Sequence, residues 1–300
     1  MDMTQNKCCR HGASLRRRRR RRRKILRSII FSCSIIAVAV FVAVGSRMIT
    51  SGDGRTNKYD VEAGNNTYDN TVIENSKISE KNKIQNNQSM LDDIMNSTQY
   101  PKQLKDLALK NEEALEFVYD YPAEHVKEHT IDLTEEASMD SVPLFVQWDK
   151  RWGYEKYSGN FFAASGCGPT TLSMVVVYLT HNREASPIAV AKYSKEAGYS
   201  VDGSGSSWTL ISEGSMHYGV KAKTVALDES RMKAELDAGH PIVVNVGPGD
   251  FTDTGHFMVI TGYDDEGFSI NDPNSIEKSG KRWLFKNISS QIRAVWSMYV

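Results

Sequence analysis

An intradomain disulfide framework is excluded by count. The 300-residue chain has four cysteines, Cys8, Cys9, Cys33 and Cys167, and three of them fall within the first 33 residues. Only Cys167 lies where the composition suits a folded domain, so it has no disulfide partner there. No pair of residues in that region has zinc-site spacing either. The Gly-x-x-x-x-Gly-Lys-Ser/Thr phosphate loop is missing, which excludes a P-loop nucleotide hydrolase. Net charge is absent only in total. Basic and acidic residues number 37 each, but residues 1–27 hold 12 of the basic residues against Asp2 alone. Residues 28–300 therefore keep 25 basic and 36 acidic residues, a net charge of −11. A globular domain of that sign is not expected to bind nucleic acid.

What is present divides along the chain. Residues 1–27 form an arginine-rich basic tail. Ser28 to Gly45 reads SIIFSCSIIAVAVFVAVG, 18 residues without a charge, about the minimum for a bilayer span. With arginines on its N-terminal side, the positive-inside rule predicts a transmembrane signal anchor over 28–45. The tail is then cytoplasmic, the membrane is a partner through 28–45, and the rest is extracytoplasmic. A cleaved signal peptide, with Ala43 and Gly45 as its small-x-small pattern, would instead give a secreted protein. Residues 46–98 are rich in Asn, Lys, Ser and Glu and are expected to be a disordered linker.

Order is expected from residue 99. Residues 99–141 read as a helical lead-in: Leu104 and Leu107 mark one side of a helix over 102–109, and Asn111 caps a second over 112–119. No chemistry is evident in it. Residues 142–300 change texture to short strands, glycines and aromatics. Strands are expected over 142–146, 220–225, 241–246, 255–263, 268–271, 282–285 and 294–299, with helices after Cys167 and over 185–198, 208–218 and 229–238. Helices first and mostly antiparallel strands later make an α+β pattern.

The stretch Ser165-Gly166-Cys167-Gly168-Pro169-Thr170-Thr171 organises the rest. Small residues bring one cysteine to the start of an apolar helical run. Pro169 suits a first-turn position, where a missing N–H costs nothing. A thiol at a helix N-terminus feels the positive end of the dipole, which favours the nucleophilic thiolate. By itself the stretch fits a small buried cysteine equally well.

A nucleophilic cysteine needs a base, and the base needs an orienter. Among seven histidines, His256 stands out because it opens the apolar strand His256-Phe257-Met258-Val259-Ile260 at the rim of a sheet, where an imidazole requires a partner. The turn Asp264-Asp265-Glu266-Gly267 folds the chain back, returning Asp272 to about the level of His256. Taken alone, Asp272 reads as a turn residue before Pro273. Taken with a lone thiol and His256, it reads as the orienter. Gln147, at the end of an apolar run, is a candidate oxyanion donor beside the backbone N–H of Cys167.

Gln147-Trp148-Asp149, Ser165 to Thr170, Gly255 to Tyr263 and Ile270-Asn271-Asp272-Pro273 occur in an order that resembles papain-like cysteine peptidase family thirty-nine. The likeness is to its stand-alone C39-like bacterial branch, which is not fused to an ABC transporter. It spans about residues 100–300. It implies a papain-like fold, with Cys167 as nucleophile, His256 as base, Asp272 as orienter and Gln147 as oxyanion donor. It implies no metal or cofactor and a peptide or protein substrate. The same residues would serve a cell-wall peptide amidase or transpeptidase, and a non-catalytic surface-displayed binding module is the reading of another class.

Overall fold

The computed structural model describes residues 67–300. An antiparallel six-stranded sheet forms its centre. The strands are β1 (Lys221–Thr224), β2 (Ile242–Val246), β3 (His256–Asp264), β4 (Gly267–Asn271), β5 (Arg282–Trp283) and β6 (Ile292–Tyr299), in the spatial order β1-β6-β2-β3-β4-β5. The helices that matter for the site are α1 (Thr67–Asn96), α2 (Lys102–Ala108), α3 (Leu115–Tyr119), α4 (Cys167–Thr180), α5 (Pro187–Glu196) and α6 (Glu229–Asp237). This is the α+β architecture the residue pattern implies.

Period-two alternation sorts the strand residues between two cores. Val243, Phe257, Val259, Trp296 and Met298 pack against Leu172 and Val176 of α4. Their neighbours Ile242, Val244, Met258 and Ile260 point to the opposite face, against Met232 of α6 and Ile288. Because both faces are covered, β2 is buried at every residue and reads as a continuous apolar run rather than an alternating one.

A third core ties the lead-in to the segment just before Cys167. Leu104, Leu107, Ala114, Leu115, Phe117 and Val118 pack with Phe161 and Ala163. Asn111 caps the turn that opens at Glu112, accepting the Glu113 N–H at 3.0 Å.

Three expectations need correction. The transmembrane helix expected over 28–45 is not borne out: those residues lie outside the described ones, and no helix among the described residues is long and apolar enough to cross a membrane. The expectation rested on 18 uncharged residues and flanking arginines alone, and the single-pass, extracytoplasmic placement is withdrawn with it. Second, α1 covers much of the stretch read as a disordered linker. Its last turns carry Met90, Leu91 and Ile94, which cover the lead-in core. The Lys105 ammonium donates to the Met95 and Ser97 carbonyls near its C-terminus, at 2.9 and 2.6 Å, as cations do at helix ends. Third, residues 142–146 form no strand. Pro143 lacks an N–H for a ladder, and the Asn271 amide instead donates to the Val142 and Pro143 carbonyls at 3.0 and 3.1 Å.

Ile94 is fully buried, so Ile94→Ala is expected to destabilise the fold by about 2–4 kcal/mol. Denaturant unfolding monitored by tryptophan fluorescence measures this. A change within about 0.5 kcal/mol, as for a surface position, would mean that α1 is not docked.

Candidate active site

Cys167 is the first residue of α4, with Gly166 before it. The turn is tight because its glycines admit close neighbours. A Cβ on Gly166 would lie 2.6 Å from the Phe162 ring, and one on Gly168 would lie 2.5 Å from Ser206 Oγ. Thr170 Oγ1 donates to the Gly166 carbonyl at 2.8 Å, closing the first turn. Cys167 sits at the helix N-terminus, half-buried, and lines a cleft.

His256 opens β3 across from Val246, and Asn271 at the end of β4 lies across from Val259. The hairpin therefore brings Asp272 back beside the start of β3. His256 Nε2 meets Asp272 Oδ1 at 2.6 Å. The ring is 6% exposed and the carboxylate fully buried. With Nε2 taken by Asp272, Nδ1 is the ring nitrogen left free, and Cys167 and His256 line the same cleft. The structure thus brings the three residues expected from the sequence together: His256 is hydrogen-bonded to Asp272 and shares a cleft with Cys167.

The electrostatics follow from that arrangement. Burial pushes the Cys167 thiol up. The hydrogen bond and charge of His256, and the N–H groups of Phe257 and Gly168, outweigh it, and the thiol ends below its ordinary value. Burial pushes His256 down. The adjacent Asp272 carboxylate and its hydrogen bond, reinforced by Cys167, reverse this and raise the imidazole to about 10. The arrangement favours thiolate beside imidazolium over thiol beside imidazole.

Asp272 also fills the turn role it has in isolation. Oδ1 accepts the Asn274 N–H at 2.8 Å, an Asx-type turn before and through Pro273. One oxygen thus serves both the imidazole and the turn, and Oδ2 is buried without a partner in the structure.

Gln147 is buried on the same cavity as Cys167 and His256. Its backbone N–H donates to the Pro273 carbonyl at 2.7 Å. Its Nε2 donates to the Ala163 carbonyl at 2.7 Å and makes a long contact of 3.4 Å to Asn274 Oδ1. Among the described residues the other histidines lie outside this cleft. His217 stacks on Tyr193 with 4.0 Å between centroids, and His240 meets Glu235 at 3.2 Å.

The cleft above these residues has a volume of about 620 Å³. The loop 249–255 forms one wall, and Gln103, Asp106, Leu107, Lys110 and Asn111 form another. Asn274 and the lead-in wall were not picked out from sequence. The only available signal was the capping role of Asn111, which points to a helix start and not to a cleft. Among the described residues no group of three or more His, Cys, Asp or Glu side chains is arranged to hold a metal ion.

No curated protein matches the chain. Among solved structures it is similar to the peptidase domain of Streptococcus ComA, a bi-functional ABC transporter involved in a quorum-sensing pathway. That likeness has 18% identity and a TM-score of 0.39, and covers 53% of this chain and 96% of the other. It is also similar to a protein described as a C39-like peptidase from Bacillus anthracis, with 17% identity, a TM-score of 0.33 and coverage of 53% and 95%. The model of the Peptidase_C39 like family matches residues 139–300, more than half of the chain, and the protein belongs to that family.

Proposed function

We propose that the protein is a cysteine peptidase acting through Cys167, His256 and Asp272, with Gln147 as oxyanion donor and residues 142–300 as its peptidase domain. The observation that carries this reading is the convergence of Cys167, at the start of α4, and the hydrogen-bonded pair His256–Asp272 on one cleft of about 620 Å³. Family membership supports it.

The Cys167 thiolate adds to the amide carbonyl carbon, and the carbonyl π electrons move to oxygen. The Cys167 N–H at the start of α4 and one N–H of Gln147 Nε2 receive that oxyanion. Gln147 can supply the second N–H because only the 3.4 Å contact to Asn274 restrains it, while the 2.7 Å bond to Ala163 holds the amide plane. The His256 imidazolium gives its proton to the leaving nitrogen as the C–N bond breaks. The imidazole then takes a proton from water, whose oxygen attacks the thioester. Collapse releases the acid and restores thiolate and imidazolium. Asp272 keeps the ring oriented throughout and stabilises it whenever it is protonated.

Hydrolysis of a fluorogenic peptide library by the full chain tests the assignment. Cys167→Ala is expected to abolish turnover, Asp272→Asn to lower kcat roughly 10³–10⁴-fold, and Gln147→Ala roughly 10²–10³-fold. An intact Cys167 that labels with an electrophile while no peptide turns over would favour the binding-module reading. Turnover of cell-wall peptides alone would favour the amidase.

The pH dependence has a definite sign. The thiolate forms as pH rises through the depressed pKa of Cys167, and the proton needed by the leaving amine is lost as pH rises through about 10, where His256 titrates. Hydrolysis should therefore rise on an acid limb and fall near pH 10. Iodoacetamide alkylation of Cys167 should be half-maximal below the ~8.5 of an ordinary cysteine, and His256→Ala should move that midpoint to about 8.5 or higher. A wild-type midpoint at or above that value, unmoved by His256→Ala, would refute the ion pair.

A further inference from the structure

The family match begins at residue 139, yet two residues well before it reach both halves of the site. Asn111 is the first. Its Oδ1 is occupied by the Glu113 N–H at 3.0 Å. The planar amide must then present Nδ2 on its other side, where it donates to the Asn274 carbonyl at 2.9 Å and to Asn274 Oδ1 at 3.1 Å. The orientation of the Asn274 amide is thereby fixed, with its oxygen towards Asn111 and towards Gln147 Nε2. The backbone N–H of the same Asn274 donates to Asp272 Oδ1, the oxygen that holds His256.

Glu113 is the second. Its carboxylate accepts the Ser275 hydroxyl, the Ile276 N–H at 2.7 Å and the Glu277 N–H at 3.1 Å. These donors lie in the turn that follows Asp272. That turn also holds the Asp272 backbone: the Ser275 N–H donates to the Asp272 carbonyl at 3.2 Å, and the Asp272 N–H donates to Ser279 Oγ at 2.9 Å. Asn111 and Glu113 thus grip the chain on the side of Asp272 away from the sheet. The sheet fixes only the residues up to Asn271.

We infer that Asn111 and Glu113 are positioning residues of this active site: from the lead-in they hold Asn274 and the turn 275–277, and through them the Asp272 carboxylate and the Gln147 amide, in register with Cys167 and His256. The inference rests on the peptidase reading of the site. A misplacement of about 1 Å in such supporting groups can cost about 10²-fold in rate, so the grip is expected to act on kcat and not only on stability.

Asn111→Asp is the discriminating change. Asp is as good a helix cap as Asn, so the turn at Glu113 is kept. The donor facing two oxygens of Asn274 is replaced by a carboxylate oxygen, and the contact becomes repulsive. Glu113→Gln is the second variant. It keeps the length of the side chain but loses the charge and one acceptor for three donors. Both are measured in the full chain by peptide hydrolysis, by the pH midpoint of Cys167 alkylation with iodoacetamide, and by thermal unfolding.

The groups that face His256 are Asp272 and Cys167. The other charges on the cleft walls, Asp106, Lys110, Asp250, Asp253 and Lys278, are unchanged in both variants. The expected result is a fall in kcat of roughly 10–100-fold for Asn111→Asp. The alkylation midpoint should rise by about 1 pH unit as the Asp272–His256 contact loosens. KM should change less than kcat, and Glu113→Gln should shift kcat and the midpoint in the same direction by less. Variants that match wild type in kcat and midpoint overturn the inference, as do variants whose kcat falls only in proportion to the unfolded fraction. A wild-type midpoint that does not depend on His256 removes the triad itself. A His256-dependent wild type with unaffected variants removes only the role of Asn111 and Glu113.

Discussion

The contact between a fully buried carboxylate, Asp272, and the buried imidazole of His256 is what the rest of the site depends on. Asp272 is fully buried, and an isolated ionised carboxylate in such a place would take up a proton instead. Two donors oppose that: the His256 ring at 2.6 Å and the Asn274 N–H at 2.8 Å, both on Oδ1. The contact with Asp272 raises the imidazole of His256, and His256 in turn helps to lower the thiol of Cys167. Removing either partner of such a buried pair leaves an uncompensated charge, at a cost of several kcal/mol.

The scaffold meets this demand with a short ruler. A two-stranded turn between β3 and β4 sets the register, and the register sets which residue faces His256. A slip of one residue would send Asp272 to the other face and put Asn271 or Pro273 in its place. The apolar residues of β3 resist that slip, because Phe257 and Val259 belong to one core and Met258 and Ile260 to the other. Sheet packing and active-site geometry are thus a single constraint. The α4 helix, buried along Gly168 to Val177, brings the sulfur to the same edge.

What was legible in the residues follows from which of these constraints are local. Cys167 could be found because it is the single thiol in the folded part and stands in a glycine turn before an apolar run. His256 and Asp272 could be found because strand period and hairpin length are countable. Less local features were hidden. Val142 to Val146 looks like a strand, yet a proline and a distant asparagine side chain settle it otherwise. The helical α1 reads as linker because its polar stretch is long and its packing on the lead-in core is carried, among the described residues, by Met90, Leu91 and Ile94. Asn274 and Glu113 act through hydrogen bonds that join residues about 160 positions apart, and no window of sequence contains both ends.

Cys167 and His256 behave as one titrating pair, and this decides how their properties should be assigned. Burial opposes charge on Cys167 and on His256 separately, and their mutual pairing, with the N–H groups of Phe257 and Gly168 at the thiol and Asp272 at the ring, reverses it for both. Proton loss from the thiol and proton retention by the imidazole are therefore two views of a single equilibrium. A substitution that leaves all three residues in place but shifts their spacing acts on that equilibrium as surely as removal of one of them. The neighbours that fix the spacing, β3 and β4 on one side and the turn after Asp272 on the other, consequently belong to the chemistry of the site as well as to its architecture.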